Sequence, residues 1–309
     1  MVRGTSLTAQ QRVAIAGASG YVGGRLSRQL LALGVPVRVL GRRPSALQEL
    51  SGLGADAVVA DVADGAAVRR GLAGIDVAYY LVHAMGGRGD FAARDRQGAQ
   101  TFSQAAAEAG VQRIIYLGGL GEPQRGLSEH LASRLEVANI LEAGAVPATV
   151  LRSAVIVGAG SASFRMIRDL VHHLPVMVAP SWLRTRCQPI AIDDALAYLV
   201  GCLDEPRTTG QRLDIGGPDI LSYQDMLLIY ARAAGLSRLI MPVPVLTPRL
   251  SSYWIGLVTN VPVSVARPLI EGVRSPAVCV DLRIRTILPR KLQRYAAAVR
   301  AILRGEGNA

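Results

Sequence analysis

Residues 12–23 read RVAIAGASGYVG, and a helical pattern follows from Arg25 to Leu33. Val13 to Ala16 is an apolar run of strand length. Glycines then stand at Gly17, Gly20 and Gly23, the spacing G-x-x-G-x-x-G. Each has its own physical duty in such a turn. Gly17 permits the tight reversal, and Gly20 leaves out a Cβ where a pyrophosphate would approach the backbone. Gly23 lets the helix lie close on the strand. The free N–H groups and the dipole at the helix start favour phosphate charge. The glycine spacing lies between a strand and a helix, at the head of a repeated β-α pattern. This context predicts a dinucleotide site built on Gly17, Ser19, Gly20, Tyr21, Val22 and Gly23.

The same alternation continues outward. Strands are predicted at 12–17, 36–40, 56–60, 76–82, 111–117 and 147–154, with helices near 21–34, 44–51, 65–73, 91–109 and 127–143. Short β-branched runs between helices are the signature of buried parallel strands. The expected class is α/β, a doubly wound parallel sheet with helices on both faces. No internal repeat or low-complexity segment is present.

The end of the second strand bears on the kind of dinucleotide. A carboxylate there would hold the adenosine ribose of NAD. The chain offers Gly41-Arg42-Arg43-Pro44, with no acid. Arg42 and Arg43 suit a 2′-phosphate through charge-assisted bonds, so NADP(H) is the expected cofactor. The plainer alternative is a solvated arginine pair. Asp61, ending the third strand, fits either the adenine edge or a helix cap.

Composition narrows the chemistry. Half of the 309 residues are hydrophobic and 18% are charged, which excludes a disordered chain. The net charge is +11, and Lys291 is the one lysine among 34 basic residues. No mechanism that needs a lysine within the first 290 residues is available. The three cysteines, Cys187, Cys202 and Cys279, form no C-x-x-C pair. A thiolate metal site and a disulfide framework are therefore not expected, and a cytoplasmic location is. The strand near Val13 leaves no room for a signal peptide. The longest uncharged stretch, Leu250 to Ala266, is broken by Asn260 and Pro262. A bilayer span needs about 20 apolar residues, so no transmembrane segment is expected. A peripheral membrane contact through that stretch is left open.

The blocks GASGYVGG, GRRP, AYYLVHAMG, RIIYLGGLG and SEHLASRLEV resemble the atypical short-chain dehydrogenase/reductases. Within these the chain is similar to the NmrA-like and YbjT-like NAD(P)H-binding proteins. The later blocks GAGSASFRMIRDL, QPIAIDDALAYL and IGGPDILSYQDM extend the resemblance over nearly the whole chain. It implies a Rossmann-type domain over 1–155, to which 186–206 return. A smaller substrate-binding region over 156–185 and 207–309 is implied too. It also implies that Val82 and His83, ending the fourth strand, lie along the nicotinamide ribose. The plainer reading of His83 is a partly buried histidine bonded to backbone.

The catalytic residues of the wider family are missing. Its serine position falls at Gly118-Gly119, with Gly118 left to the cofactor. On the next helix His130 stands at the tyrosine position and Arg134 at the lysine position. Three readings compete. His130 could be the general acid, with Arg134 holding ribose or phosphate. The substrate could take its proton from its own phenol or from water, the protein supplying position. Or the site could bind NADP(H) without turnover.

Met85, Ser161, Met166, Trp182, Tyr253 and Trp254 are the candidate substrate contacts, suited to a broad hydrophobic molecule. Asp193 reads as a helix cap. Residues 283–309 hold seven basic side chains against Glu306. They read as an amphipathic helix with a solvated basic side, and nucleic acid is not the expected partner. No metal site is expected. The leading expectation is an NADPH-dependent reductase of a small hydrophobic carbonyl, such as a polycyclic aromatic ketone or quinone. The alternatives are a non-catalytic NADP(H) sensor and a scaffold subunit of a membrane redox complex. Oligomeric state is not encoded in any motif.

Overall fold

Apolar runs with a strand period, separated by helical stretches, must bury both faces of a sheet. The computed structural model describes residues 11–83, 90–121, 127–243 and 271–305, leaving out the side chains of 178–182 and 242–243. Six strands follow one another as β1 (Val13–Ala16), β2 (Val37–Gly41), β3 (Asp56–Val59), β4 (Val77–Tyr80), β5 (Arg113–Gly119) and β6 (Ala148–Ser153). The helices between them are α1 (Tyr21–Ala32), α2 (Pro44–Gly52), α3 (Gly65–Leu72), α4 (Phe91–Glu108) and α5 (Glu129–Ala143). The chain continues through β7 (Ile156–Val157), α6 (Ala162–His173), β8 (Val176–Pro180), β9 (Arg186–Cys187) and β10 (Ile190–Ala191). Then come α7 (Ile192–Asp204), β11 (Arg212–Ile215), β12 (Leu221–Ser222), α8 (Tyr223–Ala233) and β13 (Leu239–Val243). Two further helices, Arg283–Ile287 and Tyr295–Leu303, lie near the end.

The main sheet has seven strands in the order β11-β6-β5-β4-β1-β2-β3, every pair parallel. Strand order reverses at β1, which lies between β2 and β4 with Val13 opposite Val37 and Val77. This is the switch point where open α/β sheets leave a crevice at their carboxyl ends. The pleat divides the core. Val13, Ile15 and Tyr79 face one apolar layer, whereas Ala14, Ala16 and Tyr80 face the other. Leu26 and Leu30 of α1 close the first layer, and Phe102 of α4 closes the second. Each such side chain contributes about 1.5–3 kcal/mol by leaving water.

The smaller region has its own apolar cluster, in which Phe164, Met226, Tyr230 and Tyr295 are buried. Its strands form three pairs: β7 with β10, β9 with β12, and β8 with β13. One boundary lies elsewhere than the sequence suggests. Arg212–Ile215 falls after position 207, yet it is the edge strand of the main sheet, beside β6. Its short run includes Asp214, which conceals a strand. That carboxylate is fully buried and bonded by Arg152 at 2.7 Å and by the N–H groups of Val280 and Asp281.

A second buried charge ties the layers together. Arg113 of β5 bonds Thr149 of β6, the carbonyl of Cys202 on α7 at 2.6 Å, and the hydroxyl of Thr208. Thr149 in turn donates to the Thr208 carbonyl at 2.7 Å. Arg113→Met keeps the bulk and strips these oxygens of their donors. The expected cost is about 2–5 kcal/mol in urea unfolding. An unchanged midpoint would contradict this role.

Candidate active site at the carboxyl ends of β1 and β4

The glycine turn leaves β1 with Gly17 at φ +90°, in the left-handed region. A Cβ on Gly17 would lie 2.6 Å from the Leu81 carbonyl oxygen, so the turn and the end of β4 are in direct contact. A Cβ on Gly23 would lie 2.3 Å from the Gly17 carbonyl, which no side chain accommodates. Gly20 caps α1 without a side-chain bond, so the first N–H groups of that helix meet no capping oxygen. These features fit a dinucleotide pyrophosphate. Tyr21 turns toward the smaller region, where a Cβ at Gly158 would strike its hydroxyl at 2.1 Å. Burial raises the pKa of that hydroxyl, opposed by Arg25 and by the Gly160 backbone.

Arg42 and Arg43 are exposed just beyond β2. Asp61 is exposed and accepts from the Ala63 N–H at 3.0 Å, while the cap of α3 is Asp64. Gly118 lies in β5, where a Cβ would press on the Tyr116 ring at 2.9 Å.

Beyond β4, His83 joins a chain of hydrogen bonds. Its Nδ1 lies 2.9 Å from Asp95 Oδ2, and its Nε2 lies 3.0 Å from His130 Nδ1. Ser133 donates to the same Asp95 oxygen at 3.0 Å. Asp95 is 3% exposed and the His83 side chain 13%. Three elements supply these groups: the end of β4, the first turns of α4, and the first turns of α5 after its Ser128 cap.

The distances accommodate one neutral arrangement: an Asp95 carboxylate accepts from Ser133 and from His83 Nδ1–H, His83 Nε2 accepts from His130 Nδ1–H, and His130 Nε2 is left as an acceptor at the end of the chain. His130 makes no further hydrogen bond among the described residues.

Arg134 stands one turn beyond His130. Its guanidinium bonds the Leu117 carbonyl at 2.6 Å and the Val82 carbonyl at 3.5 Å, with the Tyr116 ring 5.3 Å away. It thus joins the ends of β4 and β5, and its charge faces both imidazoles. Burial first, then Arg134, lowers the His83 pKa against the opposite pull of Asp95. Burial, His83 and Arg134 push His130 down to about 3. Both rings are neutral near pH 7.

Ser161 begins α6 without capping it, and Met166 is buried in that helix. Trp182 falls in the short turn Ser181–Arg184. Met85, Tyr253 and Trp254 lie outside the described residues. Asp193 makes no cap. Its neighbour Asp194 is the buried one, accepting the Gln293 N–H at 2.8 Å. The basic stretch keeps its arginines largely at the surface, several of them in local pairs. Arg283 pairs with Asp281, Arg294 with Asp219, Arg285 bonds the Gly217 carbonyl, and Arg290 covers the Tyr198 ring. Sequence reasoning missed Asp95, although it shares the buried stripe of α4 with Ala99 and Phe102. A carboxylate on an apolar stripe was the available signal.

Fold and turn together define a Rossmann-type dinucleotide-binding protein. Residues 17–159 match the model of a family described as NAD(P)H-binding. The expected NADP(H) cofactor falls within that description. The chain is 31% identical over 109 residues to a 4-hydroxy-2-methyl-3-oxo-4-farnesyl-3,4-dihydroquinoline-1-oxide ketoreductase of Stigmatella aurantiaca. That match covers 34% of this chain and 33% of the relative, so it spans about a third of the relative's length. Among solved structures, a triphenylmethane reductase of Citrobacter sp. superposes with a TM-score of 0.76 at 16% identity, covering 95% of this chain and 99% of that one. An NADPH-dependent quinone oxidoreductase of Escherichia coli, complexed with NADPH, gives 0.73 at 18% identity over 94% and 99%. Among the described residues no helix is long and apolar enough to cross a membrane, and no side-chain group is arranged to hold a metal ion.

The depressed His130 pKa has a consequence for stability. Unfolded, the ring titrates near 6.5; folded, near 3. Below pH 6.5 the unfolded chain binds the extra proton, so this stability is full above 6.5 and is lost as pH falls toward 3. His130→Gln removes that liability. Its melting temperature should fall less than the parent's between pH 7 and pH 4, and parallel curves would contradict the assignment.

Proposed function

We propose that the protein is an NADPH-dependent reductase of a hydrophobic carbonyl, such as a polycyclic aromatic ketone or a quinone. The observation that carries the reading is the contact of the glycine turn with the end of β4, where the His83–His130 pair begins. A nucleotide held on that turn would meet Val82 and His83 at the end of β4. When bound, the cofactor supplies hydride. The chain supplies the pyrophosphate cradle, the arginines for a 2′-phosphate, and an imidazole that exchanges a proton with the substrate oxygen. Arg134 acts through its charge and through the two strand ends it joins.

The names of similar proteins support this class: one is a ketoreductase of a quinoline N-oxide and another an NADPH-dependent quinone oxidoreductase. The smaller region, with Ser161, Met166 and Trp182, is the proposed substrate side, together with Met85, Tyr253 and Trp254. The three cysteines are free, and burial holds Cys187 and Cys202 up at about 11. Unpaired thiols of this kind suit the cytoplasm.

The test mixes purified protein with NADPH and a panel of quinones and polycyclic ketones, and follows loss of the reduced cofactor's absorbance. Oxidation with at least one member is expected. Tight NADPH binding without oxidation by any member would overturn the reading in favour of an NADP(H) sensor. Arg42→Ala with Arg43→Ala should weaken NADPH binding by about 100-fold or more and leave NADH unchanged, since each charge-assisted bond contributes about 1.5–3 kcal/mol. Equal loss for both cofactors would sink the 2′-phosphate assignment.

A further inference from the structure

We propose that Asp95, His83 and His130 form a proton relay, in which His83 holds the proton that His130 passes to the substrate. The proposal rests on the reductase reading and deepens it. The three groups bond in series, Asp95 Oδ2 to His83 Nδ1 at 2.9 Å and His83 Nε2 to His130 Nδ1 at 3.0 Å. A neutral chain of this kind presents a bare His130 Nε2. It can take a proton from an alcohol, but it has none to give.

To serve reduction the chain must first gain one proton. His83 is where it rests, because only there does a carboxylate touch the ring. The loaded chain is Asp95 carboxylate, His83 imidazolium and His130 with hydrogen on Nε2. Hydride reaches the carbonyl carbon, and the C=O π pair moves to oxygen. That oxygen takes the Nε2 proton of His130. His130 Nδ1 takes the Nε2 proton of His83, and His83 keeps its Nδ1–H on Asp95. One cationic imidazolium is neutralised, and the substrate leaves as the alcohol. The chain reloads from water. Run backward, the same steps remove a proton from an alcohol.

The charged and titratable groups facing the relay come from four elements. Asp95 belongs to α4 and Arg134 to α5. Tyr80 of β4 and Tyr116 of β5 lie beneath them, with phenol pKa values raised chiefly by burial. Neither phenol ionises near neutral pH, so burial together with the opposed charges of Asp95 and Arg134 sets the balance. Asp95 favours the loaded state, and Arg134 opposes it. Such a coupled pair titrates as a unit.

Asp95 and His83 are therefore positioning residues acting through His130. The first measurement needs no turnover. In the parent protein with 15N-labelled histidine, NMR should find hydrogen on Nδ1 of both His83 and His130 near pH 7. On acidification His83 should titrate before His130. In Asp95→Asn the His83 midpoint should move down by about a pH unit or more, as the loss of a bonded charge requires. The second measurement is kcat for reduction against pH. The parent should lose about tenfold per pH unit above the pair's midpoint, and Asp95→Asn should show the same limb at lower pH with the KM for NADPH unchanged.

Hydrogen on His83 Nε2 in the parent would overturn the relay even if Asp95→Asn does not fold. So would a pH limb that ignores Asp95→Asn while reduction proceeds, and the reductase reading would then stand alone. If the tautomers are as expected but nothing is reduced at any pH, the reductase reading fails and the relay with it.

Discussion

Asp95 Oδ2 lies inside the second apolar layer, on a helix whose neighbouring inward positions are Gly98, Ala99 and Phe102. An ionised oxygen there must find donors, and it finds the Ser133 hydroxyl and the His83 ring. That requirement orients His83, and His83 orients His130. The orientation of the candidate site thus depends on one buried acceptor. Arg134 supplies the opposing charge while holding the ends of β4 and β5. Burial and the Arg134 charge favour the neutral imidazoles, and the Asp95 carboxylate favours their taking a proton.

The sheet makes this arrangement possible. Parallel strands deliver all their carboxyl ends to one edge, and the reversal at β1 opens that edge between β1 and β4. Tyr80 and Tyr116 fill the layer beneath, with ring centroids 6.1 Å apart. Gly98 is the concession to that packing, since a Cβ there would lie 2.9 Å from the Tyr80 hydroxyl. The later part of the chain then returns to the sheet. Asp194, Asp214 and Arg113 pin it through buried bonds rather than through apolar contact alone.

The nucleotide half was legible because its signals are local. The β1–β6 and α1–α5 alternation follows from runs of a few residues and their periods, and the glycine turn from spacing alone. β11 was not legible, because two of its four residues are charged and their partners lie far along the chain. In the basic stretch the solvated side was legible, for Arg283 and Arg294 remain mostly exposed while pairing with Asp281 and Asp219. His83 and His130 could each be named from position, but not joined. They are 47 residues apart, and Asp95 between them looked like an ordinary acid in a helix.

On the proposed reading the imidazole pair would face the reacting end of the bound cofactor. The most direct measurement is the nuclear Overhauser effect between the nicotinamide H4 of bound NADPH and ring protons of 13C-labelled histidine. Cross-peaks to His130 or His83, absent for His172 and His173, are the expected result. A bound nicotinamide that shows cross-peaks elsewhere and none to His130 or His83 would contradict the account.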